Sequence, residues 1–89
     1  MKTVKLITIG EYTTRKLIQE LASISPQGMT LTQMRARIRL LDALDASKED
    51  ELVLEDSDYS ELKNIIEGVN TWMRADRDLI KVIDGIVKL

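Results

Sequence analysis

The sequence predicts a mainly helical α+β domain, four helices with one small two-stranded β element, and three observations carry that prediction. Four segments repeat Leu, Ile, Val and Met in steps of three and four, the spacing of a single helix face. Two runs, near residue 3 and residue 51, are short, apolar or β-branched, and bounded by Gly or by acids, as strands are. The apolar supply is aliphatic, with one Trp, two Tyr and no Phe, which suits helix packing better than an aromatic-rich sandwich. At 89 residues, all of it (1–89) forms a single domain near the lower limit for one self-sufficient core.

Thr3–Ile9, TVKLITI, reads as the first strand and ends at Gly10. Glu11–Ile24 then has helical spacing, with Leu17, Ile18, Leu21 and Ile24 on one face and Thr13 or Thr14 as cap. Ser25-Pro26-Gln27-Gly28 is a turn, and so short a connection makes the helices on either side of it neighbours.

The best-specified helix lies within Gly28–Asp45, GMTLTQMRARIRLLDALD. Thr30 and Gln33 form a capping box, and Met29 and Met34 stand at the positions of a hydrophobic staple. Leu31, Met34, Ile38, Leu41 and Leu44 make its stripe, with Leu40 well away from it. A helix apolar on more than one side is usually central in its domain.

Ala46–Glu51 is polar and reads as a loop, and Glu51–Glu55 as a second strand, which should pair with the first under cover of the helices. Asp56 or Ser57 caps a third helix with Tyr59, Leu62, Ile65, Ile66 and Val69 on one face, closed by Gly68 and Asn70. Thr71-Trp72-Met73 is a connector whose Trp plugs the core. The last helix, Ala75–Val87, aligns Leu79, Val82, Ile83 and Ile86. The expected core is Leu17, Leu21, Met34, Ile38, Leu41, Leu62, Ile65, Ile66, Trp72, Leu79, Val82, Ile83 and Ile86.

Composition removes several kinds of chemistry. Without Cys or His there are no thiol nucleophiles, disulfides, imidazole bases or ordinary zinc sites. No apolar run approaches a membrane span, and the MKTVK start lacks a signal-peptide core, so a soluble cytoplasmic protein is expected. The net charge of −2 argues against non-specific nucleic-acid binding by the domain as a whole. Residues 1–45 carry seven Lys/Arg against four Asp/Glu, or +3, and residues 46–89 carry six against eleven, or −5. Charge halves of opposite sign point to contacts within the chain or between copies.

Three motifs bear on chemistry. Arg35, Arg37 and Arg39 could dock acidic protein or phosphate through their rigid donor forks. The plainer and favoured reading of each is structural: Arg35 and Arg39 pair with Asp42 and the acidic residues downstream, while Arg37 covers apolar surface with its stem. The expectation is internal pairing for Arg39, with Arg35 or Arg37 freer for a partner.

DSDYSELKNIIE puts Asp56, Asp58, Ser60, Asn64 and Glu67 at calcium-loop positions, but Glu61 stands where that loop needs Gly. Helix capping is the better account of this stretch and of the neighbouring Glu49-Asp50-Glu51 and Glu55. Asp42 with Asp45, and Asp76 with Asp78, are carboxylate pairs with no sign of a cleft around them. No catalytic residue, metal or cofactor site is expected. LIQELASISPQGMTLTQM looks like the opening of a winged-helix domain, yet Arg35–Leu44 contains no break before a recognition helix.

MRARIRLLDAL, LEDSDYSELK and Trp72 before a final amphipathic helix together resemble small proteins of tailed phages and prophages, across roughly residues 17–87. That resemblance implies a bacterial-cytoplasmic setting and a non-enzymatic role, and brings no assigned site residue with it. The function expected is a protein-interaction module acting in virion assembly or on a host factor, whose partner is another protein or a second copy. A winged-helix DNA-binding regulator is the alternative.

Overall fold

The structure is a computed structural model and describes residues 1–47, 50–69, 72 and 75–88. Its elements run β1 (Lys2–Lys5), β2 (Thr8–Ile9), β3 (Tyr12–Thr13), α1 (Thr14–Ser23), α2 (Leu31–Ala46), β4 (Glu51–Leu54), α3 (Asp56–Glu67) and α4 (Arg77–Val87). This is the mainly helical α+β architecture that the periodicities call for.

The first and last strands do pair: β1 and β4 are antiparallel, with Val4 opposite Leu52 and Lys2 opposite Leu54. Alternation along them buries Val4, Leu52 and Leu54 and turns Thr3 and Val53 outward, as befits a sheet covered on one face.

A second two-stranded element was not legible in the sequence. The run Thr3–Ile9 changes partner half-way. The amide of Leu6 still reaches the Asp50 carbonyl at 2.7 Å. Ile7 instead exchanges bonds with Thr14, whose hydroxyl accepts from the Ile7 amide at 3.1 Å and whose amide donates to the Ile7 carbonyl at 3.0 Å. From there β2 pairs with β3, Thr8 opposite Thr13 and Ile9 opposite Tyr12. The hairpin turns at Gly10, whose φ of 60° suits a two-residue loop, and a Cβ there would stand 2.5 Å from Asp78 Oδ2 on α4.

The helix starts follow their caps. Thr13 accepts from the Lys16 amide and opens α1 three residues later than the pattern suggests. Thr30 and Gln33 form the expected capping box on α2, at 3.1 and 2.9 Å. Asp76 accepts from the Asp78 and Leu79 amides and opens α4. The start of α3 corrects the sequence reading: its N-cap is Glu55, which makes no side-chain cap bond, and Asp56 lies inside the first turn. Gly68 closes α3 as expected; Asn70, Thr71, Met73 and Glu49 lie outside the described residues.

The core gathers Val4, Ile18, Leu40, Leu44, Leu52, Leu54, Tyr59, Leu62, Ile65, Ile66 and Ile86, with Leu17, Leu21, Ala43 and Ile83 packed at its edge. Val82 is buried as well. Leu41 and Leu79 are only partly buried. Trp72 does not plug the core: it is 40% exposed.

The largest correction concerns α2. Its buried residues are Ala36, Leu40 and Leu44, whereas Met34 and Ile38 face outward. Both faces are apolar, so periodicity alone could not choose between them. The charges could. On a 3.6-residue helix Arg35, Arg39, Asp42 and Asp45 fall within an arc of about 120°, and the direction opposite its centre runs between Leu40 and Leu44. Burying the longer stripe would have carried those charges toward the core, at far greater cost than leaving three apolar side chains in water.

Candidate functional site

The outward edge of α2 is where the structure departs most from what packing alone requires. Leu31, Met34 and Ile38 are 63%, 44% and 48% exposed, and Leu41 continues the row half-buried. Their steps of three, four and three keep them in line along about 15 Å of helix. Single exposed apolar residues need no explanation, but a row of them on one helix is a contact surface in waiting.

The three arginines flank this row in three different ways. Arg39 Nε donates to Asp58 Oδ1 at 3.2 Å, the internal pair expected of it. Arg37 is not free for a partner. Its Nη1 donates to the carbonyls of Leu21 and Ala22, at 2.8 and 3.4 Å, in the last turn of α1. Those carbonyls have no acceptor role inside their own helix, so Arg37 completes that end. Its Nε is buried with no hydrogen-bond partner among the described residues, so the guanidinium is held through Nη1. Arg35 is exposed and makes no side-chain hydrogen bond or ion pair among the described residues. Of the three residues proposed from sequence for partner binding, Arg35 alone presents an uncommitted charge beside the apolar row.

A fourth arginine was missed. Arg15, on α1, donates from Nη1 to the Leu44 carbonyl and from Nη2 to Ser47 Oγ, both at 2.8 Å, at the C-terminal end of α2. The signal available in the sequence was negative: neither α1 nor α2 has a basic residue in its own last turn.

The carboxylates are placed structurally or left on the surface. Asp56 meets the amino group of Met1 at 3.0 Å. The residues laid on the calcium template, Asp56, Asp58, Ser60, Asn64 and Glu67, all lie along α3, a helix throughout. Asp76 caps α4 and accepts from the Tyr12 hydroxyl at 2.9 Å, while Asp78 occupies the first turn. Asp42 and Asp45 are exposed on the outer side of α2. An open hollow of about 870 Å³ at the head of α4 is lined by Trp72, Asp76, Arg77, Asp78, Leu79 and Ile80 among others, and Asp76 is engaged in the cap of that helix.

Fold and surface together define a small mainly helical α+β domain with an apolar helix edge turned to solvent. Comparison with protein-family models, curated proteins and solved structures finds no match.

Proposed function

We propose that this chain is a non-enzymatic protein-interaction module that works through the outer edge of α2. The observation that carries the reading is the row Leu31, Met34 and Ile38, exposed on a helix whose opposite face is fully buried. Support for a role without catalysis comes from the absence of Cys and His in the sequence and from the use of Asp76 as a helix cap. The phage or prophage setting, in virion assembly or on a host factor within the bacterial cytoplasm, is part of the same proposal and rests on the MRARIRLLDAL and LEDSDYSELK resemblance. Among the described residues no helix is long and apolar enough to cross a membrane.

Two features favour protein over DNA as the partner. Helix α2 runs unbroken from Leu31 to Ala46, without the interruption that would set off a recognition helix. Strand β4 pairs with β1 and not with a neighbouring strand that could make a wing.

The test is a set of Met34→Glu and Ile38→Glu variants, with folding checked by circular dichroism and partner contact read by photo-crosslinking from α2. Folded variants that lose the crosslink are the expected result. A salt-sensitive, sequence-selective gel shift with duplex DNA at submicromolar protein would overturn the reading in favour of the regulator.

A further inference from the structure

We infer that the occupant of the α2 edge is a second copy of this chain, docked antiparallel across a twofold axis so that α2 packs on α2. The inference rests on the interaction-module reading and adds the identity of the partner.

The row itself has the form of a coiled-coil seam. Leu31, Met34, Ile38 and Leu41 occupy successive a and d positions of a heptad, the spacing that lets two helices interlock side chains. When two such helices run antiparallel about the middle of the row, Leu31 meets the second copy's Leu41, and Met34 meets its Ile38. Four apolar layers result, and no other register matches all four.

The charges beside the row select this occupant over an acidic or a basic partner. A partner of one sign would call for a rim of the opposite sign. Here the free Arg35 stands in the N-terminal half of the rim and the exposed Asp42 in the C-terminal half, seven residues on and on the same side of the row. Arg37 and Arg39 are already spent on α1 and on Asp58. A rim whose sign changes along its length is matched by itself reversed. The antiparallel register sets each Arg35 about five residues, or ~7.5 Å, along the axis from the other copy's Asp42, an offset an arginine spans. It also brings Asp45 just past the N-terminal end of the second copy's α2, where the helix dipole favours a carboxylate. A twofold contact of this kind is self-complementary and closed, so it produces dimers and not filaments.

The test combines sedimentation equilibrium with a photo-crosslinker placed at position 38 of the full chain. The proposal expects a reversible dimer that Ile38→Glu abolishes without loss of helical signal. Arg35→Asp and Asp42→Arg should each weaken it about tenfold, and the double reversal should recover most of that loss. The crosslinked product should have twice the mass of the chain. A chain that stays monomeric at several hundred micromolar and crosslinks to a different protein would overturn the second copy while leaving the interaction edge in place. A dimer that survives Ile38→Glu would overturn the second copy at this edge, and the absence of any crosslink would overturn both. Single reversals that the double variant fails to rescue would overturn the antiparallel register.

Discussion

Arg15 and Arg37 each close the C-terminal end of the helix that carries the other. Arg15, on α1, reaches the last turn of α2, and Arg37, on α2, reaches the last turn of α1. The two helices are thereby clasped at both ends by charge-assisted bonds to last-turn carbonyls, Arg15 adding to the bonds that Leu44 already accepts from Ser47. Tyr59 extends the pattern, since its hydroxyl donates at 2.6 Å to the carbonyl of Ile86 in the last turn of α4.

Arg37→Ala should destabilise the domain by about 1–3 kcal/mol, because it strips a charged donor from two carbonyls. Arg37→Lys should recover only part of this, a single ammonium being a poor substitute for the fork. Arg35→Ala, with no side-chain bond to lose among the described residues, should stay within about 0.5 kcal/mol of the parent. Urea denaturation of the three variants checks the contrast.

Leu40→Ala and Ile38→Ala should separate the two faces of α2. Leu40 is fully buried in the core cluster, and its truncation should cost about 2–5 kcal/mol. Ile38 is half exposed, and its loss should cost less than about 1 kcal/mol when measured at low protein concentration. Equal costs would mean that the helix is rotated from the orientation described.

Tyr59→Phe removes one oxygen from a buried ring and leaves the Ile86 carbonyl without its donor. A loss of about 1–2 kcal/mol is expected. Hydrogen exchange should show the last turn of α4 loosening before the rest of the helix does.

Arg39 and Asp58 should prove weakly coupled. Arg39 is largely in water, and a double-mutant cycle should return no more than about 1 kcal/mol. A larger coupling would mean the pair is fixed by contacts beyond the single bond between Nε and Oδ1.

Much of the architecture was legible because local signals and burial agree. The Thr30 capping box, the Gly68 end of α3 and the pairing of the outer strands all follow from short-range chemistry that tertiary contacts do not override. Two features were hidden for different reasons. The orientation of α2 depended on weighing four charges against two competing apolar rows, and the longer row was the misleading one. The β2–β3 hairpin depended on Thr14, whose hydroxyl substitutes for a strand neighbour in a way that no periodicity records. The candidate face was legible only in inverted form. Met34, Ile38 and Leu41 were read as core, while Arg37, read as a docking residue, serves α1.

The ladder between Lys2 and Leu54 gives the domain a direction in time. Helices α1 and α2 are joined by a short connection and carry their own clasp, so they can associate through contacts that close only short loops. The β1–β4 ladder must bring together chain segments about 50 residues apart, and so carries a larger closure entropy before any bond is made. The helical pair should therefore assemble early and the amino-terminal strand last, leaving the underside of the core open to solvent until Val4 arrives.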